Sequence, residues 1–207
     1  MKMLYLVSNM YPFMLKSYRY LKLRRVNKQM NNDIESVLYD QKQLDKRMDE
    51  VAAELTNEYN GKDPIVVSVL TGAMIFTSDM VKRMDLKLTL DLIKASSYVG
   101  AESSGNVKIE QDVKSDLKGR DVIIMEDIMD TGHTLAYLKK LFLERGANSV
   151  KIVCMLDKPE TRVEDIKPDI ACFTAPNAFL VGYGLDYDGH YRNLPYIGVL
   201  KKEVYSN

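Results

Sequence analysis

DVIIMEDIMDTGHTLAYLKKLFLERG, residues 121–146, decides the fold class. Its opening run, Val122-Ile123-Ile124-Met125, has the length and character of a strand buried on both faces. Two carboxylates, Glu126 and Asp127, follow at once, and Asp130-Thr131-Gly132-His133-Thr134 comes after Ile128 and Met129. The next residues predict an amphipathic helix with Leu135, Leu138, Leu141 and Phe142 on one stripe. Arg145 and Gly146 supply a basic last turn and a glycine cap.

A strand that feeds a tight turn and then a helix leaves unpaired N–H groups at the helix start. With the positive end of the helix dipole they make an anion site. Thr131 and Thr134 add hydroxyl donors, and Gly132 lets the backbone approach closely. The turn can therefore hold a phosphate. Glu126 and Asp127 cannot, because carboxylates repel phosphate; they suit sugar hydroxyls or a hydrated Mg²⁺. An Asp or Thr before a helix is often only an N-cap. The whole string EDIMDTGHT behind an apolar strand favours a phosphorylated ribose instead.

Working outward, residues 41–57 predict a helix with Leu44, Met48, Val51, Ala52 and Leu55 on one face. Ile65–Leu70 reads as a central parallel strand, Thr71-Gly72 as a turn, and Ala73, Phe76, Met80 and Met84 as marks of a second helix. Leu86–Lys94 is a further strand, and Val107–Asp112 returns beside it as a hairpin around the polar, mobile stretch Ser96–Asn106. Val150–Met155, Ile170–Phe173 and Phe179–Gly182 are later strands. Strands alternating with helices predict an α/β fold with a mainly parallel sheet flanked by helices. Ligands bind beyond the carboxyl ends of such strands, where turns follow Leu70, Met125 and Met155.

The 207 residues carry no net charge, but the balance is uneven. Residues 1–29 hold seven Lys or Arg and no acid, which leaves 22 basic and 29 acidic residues, a net of −7, beyond them. That acidic body argues against wrapping around nucleic acid. Residues 1–29 read as a basic extension or an upstream start, and residues 30–207 as one domain. No apolar run nears the ~20 residues that span a bilayer. Cys154 and Cys172 sit in apolar runs and read as buried thiols of a reducing, cytoplasmic setting.

The string EDIMDTGHT resembles the phosphoribosyl-pyrophosphate (PRPP) motif of the type I phosphoribosyltransferases, and most of all their purine-salvage, hypoxanthine–guanine branch. The resemblance runs from about Met30 to Tyr205 and implies that family's fold, with a small hood and a mobile hairpin loop. It implies transfer of phosphoribosyl from PRPP to hypoxanthine or guanine, giving IMP or GMP plus pyrophosphate, with Mg²⁺ as cofactor and a homodimer or homotetramer as the assembly.

The same resemblance suggests roles. Asp130 would be the general base at purine N7. Glu126 and Asp127 would hold the ribose diol and Mg²⁺, and Thr131, Gly132, His133 and Thr134 would line the 5-phosphate site. Thr71 and Gly72 occupy the pyrophosphate loop, where the family usually has Lys or Arg before the glycine, and often a non-proline cis peptide. Ser97 and Tyr98 would cover the pyrophosphate and Arg192 would bind it. Lys158 would read the purine 6-oxygen, Phe179 would stack on the ring, Leu180 would offer backbone groups, and Asp186 would take a second Mg²⁺. His190 reads as a surface residue. Other readings are a xanthine- or guanine-preferring transferase, and a non-catalytic regulator that senses PRPP.

Overall fold

The computed structural model describes residues 31–97 and 107–206. The extension 1–29 and Tyr98 lie outside the described residues, as does the side chain of Ser97. After a short 3-10 turn come β1 (Ile34–Tyr39), α1 (Gln41–Glu58), β2 (Ile65–Leu70), α2 (Ala73–Val81), β3 (Thr89–Ser97) and β4 (Val107–Gln111). Then follow β5 (Asp121–Met129), α3 (His133–Glu144), β6 (Ser149–Asp157), β7 (Ile170–Thr174), β8 (Leu180–Val181), β9 (Ile197–Leu200) and α4 (Lys202–Tyr205).

Six strands form the main sheet in the order β4-β3-β2-β5-β6-β7. Only β4 runs antiparallel, paired with β3 as the predicted hairpin. Successive residues of β5 point to opposite faces, so each strand feeds two cores. Ile123 and Met125 pack with Leu44, Met48, Val51 and Leu55 of α1 and Phe76 and Met80 of α2. Val122 and Ile124 pack instead with Leu135, Leu138 and Phe142 of α3. The predicted apolar faces of α1 and α3 are thus the buried ones. Asp40 starts α1 with a capping box: its carboxylate accepts from Gln43 N–H and Gln43 Oε1 accepts from Asp40 N–H, each at 2.9 Å. Both cysteines are buried and free.

The hood is a second sheet, β1-β9-β8, antiparallel throughout. Ile34, Val181, Leu194 and Leu200 form its small core. Several strand boundaries differ from the sequence reading. β3 begins at Thr89 rather than Leu86. β5 and β6 run on to Met129 and Asp157 because the parallel ladder between them continues through Glu126–Cys154, Ile128–Leu156 and Met129–Asp157. The acidic pair therefore sits on a strand and not in the bend that follows.

Asp91 on β3 is buried, and its carboxylate accepts from the N–H groups of Leu92, Lys114 and Ser115 at 2.7–2.9 Å. Burial pushes this carboxyl up, but Ser115 and the three N–H donors outweigh it and hold it below the usual carboxylate range. A depressed folded value stabilises the protein fully above the unfolded value of about 4, and that contribution is lost as the pH falls through the folded one. Asp91→Asn is expected to lower urea stability by about 1–3 kcal/mol at pH 7. The gap between variant and parent should close as unfolding is followed below about pH 4.

Candidate active site

The end of β5 and the start of α3 enclose a cavity of about 410 Å³ lined by Glu126, Ile128, Met129 and residues 130–135. Gly132 is the N-cap of α3 at φ 90°, where a side chain would be strained, and no side chain among the described residues caps the helix. The first bond into the helix is Ala136 N–H to Gly132 C=O at 2.9 Å. The amides ahead of it in the first turn have no partner within the helix. Neither Asp130 nor Thr131 is spent on capping, and an open helix start is what an anion needs. His133 Nδ1 lies 2.6 Å from Glu164 Oε1.

Glu126 is buried, and Asp127 adjoins it. Burial first, and then the charge of Asp127, pushes the Glu126 carboxyl well above its usual value. Burial also raises Asp127, against the pull of Glu126, the Ile128 N–H and Arg192. Two adjoining carboxyls, Glu126 buried and Asp127 half-buried, thus stand at the end of β5.

A second cavity, of about 300 Å³, is lined by Asp127, Ile128, Asp130, Lys158, Ala178, Phe179, Leu180, Leu185 and Asp186. It shares Ile128 and Asp130 with the first. Phe179 is 37% exposed. Tyr205 stacks on it with centroids 4.8 Å apart, and Tyr187 meets it edge-on at 5.5 Å. The ring is therefore held in place while part of it stays open. Leu200 N–H donates to Phe179 C=O at 2.9 Å, with Leu180 opposite Val199. In an antiparallel pair this parity turns the N–H and C=O of Leu180 away from β9, toward the open edge of β8.

Beyond β2 the peptide Leu70–Thr71 is cis. Gly72 packs so closely on Asp127 that a Cβ there would overlap the Asp127 carboxylate. Arg192 pairs with Asp186 at 2.6 Å and donates to Gly184 C=O at 2.6 Å. Asp186 also accepts from Gly189 N–H at 2.8 Å. Among the described residues no three Asp, Glu, His or Cys side chains form one metal cage, so Glu126, Asp127 and Asp186 do not meet as a triple. His190 is exposed, as expected.

The sequence reading missed the segment after Lys158. Thr161 donates to the Asp130 carboxylate, and Arg162 donates to Asp130 C=O at 2.8 Å and to Met129 C=O at 3.0 Å while pairing with Asp157. A lone arginine in a polar run gives no periodic signal; only the fold brings it behind the loop.

A family model described as "Phosphoribosyl transferase domain" matches residues 36–188. Curated relatives named hypoxanthine-guanine phosphoribosyltransferase come from Streptococcus pneumoniae and Lactococcus lactis. The first is 51% identical over 179 residues, 86% of this chain and 99% of its own. The second is 50% identical over 182 residues, 87% of this chain and 99% of its own. The crystal structure of a hypoxanthine phosphoribosyltransferase from Staphylococcus aureus superposes with a TM-score of 0.85 at 44% identity, covering 87% of this chain and 99% of that one. An aromatic-floored cavity joined through one carboxylate to an uncapped helix start, on a sheet of this order, accords with those likenesses, and the chain belongs to the phosphoribosyltransferase family, in its hypoxanthine–guanine branch.

Proposed function

We propose that this chain transfers the 5-phosphoribosyl group of PRPP to hypoxanthine or guanine, giving IMP or GMP and pyrophosphate in purine salvage. The observation that carries this is the shared wall: Asp130 lines both the loop cavity and the cavity that holds Phe179 and Lys158. The loop cavity suits the 5-phosphate, on the amides of the α3 start with the Thr131 and Thr134 hydroxyls. Glu126 and Asp127 take the ribose diol. Phe179 stacks on the base, and the outward backbone of Leu180 meets its edge. Lys158 donates to a 6-oxo group; an adenine amino group would leave donor facing donor, which is costly when buried. Asp130 accepts the proton the base gives up at N7 as the new bond to the ribose forms. Thr71, Gly72 and Arg192 receive the departing pyrophosphate, with Ser97 and Tyr98 as its cover. Arginine suits that task through its bidentate, always charged fork.

Mg²⁺ fits this donor set. It favours one or two carboxylates plus substrate phosphates over an all-protein cage, and the described residues offer carboxylates without a cage. Glu126 and Asp127 would hold one Mg²⁺ and Asp186 a second, and when bound they would neutralise charge on the pyrophosphate.

We place the catalytic domain at residues 30–207 and the protein in the cytoplasm; no helix among the described residues is long and apolar enough to cross a membrane. We propose assembly as a homodimer or homotetramer, which light scattering would read.

The test is a steady-state comparison of hypoxanthine, guanine, xanthine and adenine with PRPP and Mg²⁺, run on the full chain and on a chain starting at Met30. Both chains should use hypoxanthine and guanine and leave adenine at least about 100-fold poorer in kcat/KM, the scale of a mismatched buried donor. Adenine turned over as well as hypoxanthine would refute the role given to Lys158.

A further inference from the structure

We propose that Arg162 is a positioning residue for the transfer, holding Asp130 and the phosphate loop in register with the base-reading end of β6. The proposal rests on the role given to Asp130 above.

The geometry is that of a clamp. Arg162 Nε donates to Asp130 C=O at 2.8 Å, Nη2 to Met129 C=O at 3.0 Å, and Nη1 to Ile166 C=O at 2.7 Å. Nη2 also pairs with Asp157, the last residue of β6 and the neighbour of Lys158. One guanidinium thus ties the end of β5 to the end of β6. Its side chain is only 12% exposed and lines neither cavity, so it acts through the loop it holds. The residues around it add to the hold. Thr161 donates its hydroxyl to the Asp130 carboxylate, and the Val163 and Glu164 N–H groups both donate to Thr131 C=O, at 3.0 and 3.1 Å. Lys158 N–H reaches Met129 C=O at 3.0 Å.

A loop between strand and helix has no ladder of its own to fix it. Here its carbonyls at 129, 130 and 131 are each taken by the segment 158–164. The amides of that loop face the phosphate, and its Asp130 carboxylate faces the base. A displacement of about 1 Å at such a group can cost about 100-fold in rate. Lysine cannot replace the clamp, because an ammonium lacks the planar fork that reaches three carbonyls and a carboxylate at once.

The experiment compares Arg162→Lys, Thr161→Val, Asp130→Asn and the double variant Arg162→Lys/Asp130→Asn. Arg145→Gln serves as the control, since it breaks the Arg145–Asp112 pair at the opposite end of α3. Arg162→Lys should lose about 10- to 100-fold in kcat and raise the PRPP KM several-fold, with the KM for hypoxanthine moving less than about threefold. Arg145→Gln should match its loss in melting temperature yet keep kcat. Because Arg162 acts through Asp130, the double variant should be within about threefold of Asp130→Asn alone. Thr161→Val, which removes only the hydroxyl, should lower kcat about 3- to 10-fold without a change in melting temperature, and it stands as the test if Arg162→Lys does not fold.

A kcat within twofold of the parent in Arg162→Lys or in Thr161→Val overturns the proposal. So does a double variant in which the two losses multiply. Normal turnover of Asp130→Asn removes the base assignment and the proposal with it. Impaired Asp130→Asn beside normal Arg162→Lys removes the proposal alone.

Discussion

Replacing Asp130 by asparagine is expected to lower kcat about 10²- to 10⁴-fold while PRPP affinity changes by no more than about threefold. Asp130 is the carboxylate that both cavities share. Asparagine keeps its shape and an oxygen that can accept from Thr161. The Arg162 bond to the backbone carbonyl at 130 does not depend on the side chain. The loop that grips the phosphate is therefore retained, and what disappears is a group able to take a proton. An amide cannot serve as a base near neutral pH, so the loss falls on the chemical step, which is the pattern of an interaction made only in the transition state. Initial rates with hypoxanthine, beside calorimetric titration of PRPP with Mg²⁺, would measure the two quantities separately. A turnover above a tenth of the parent would take Asp130 out of proton transfer. A comparable loss of PRPP affinity would make it a binding residue instead.

Much of this site was legible because its chemistry is local. EDIMDTGHT carries its own strand, turn and helix, and the periodicity of α1 and α3 named the side chains that are buried. Phe179 could be placed near Asp130 only through resemblance, since 49 residues separate them; the structure brings both to one cavity wall. Three features were not legible, each for a physical reason. The acidic pair looks like the start of a bend, because charged residues rarely sit in a buried strand; it continues the β5–β6 ladder because the strand is emerging into the site there. β1 and β9 escaped notice because a short strand with two register shifts keeps no clean alternation. Arg162 has no helical or strand period to mark it, and its meaning comes from carbonyls about 30 positions earlier in the chain. Patterns within an element survive in sequence, whereas contacts between strand ends do not.

The junction between hood and main sheet predicts the largest structural effect. Gly184 has φ 104°, a conformation that L side chains rarely adopt, and a Cβ there would overlap the carbonyl oxygen of Gly72. Gly72 in turn cannot retreat, because it already lies against the Asp127 carboxylate. Arg192 fixes Gly184 from the other side, donating to its C=O and accepting its N–H at 3.0 Å. Gly184→Ala must then strain its own backbone and displace either the loop after β2 or the hood segment. Strain and overlap together are expected to cost about 3 kcal/mol or more in urea unfolding. Any folded fraction should show a weakened grip on PRPP, since the displaced loop is the one assigned to pyrophosphate. Gly189→Ala supplies the contrast: that glycine also has positive φ, at 76°, but its Cβ would meet nothing within 4 Å. It should cost only about 1 kcal/mol, the strain alone, and leave the kinetics unchanged. If the two variants unfolded at the same urea concentration, the close approach of Gly184 to Gly72 would not be what locks the hood against the sheet.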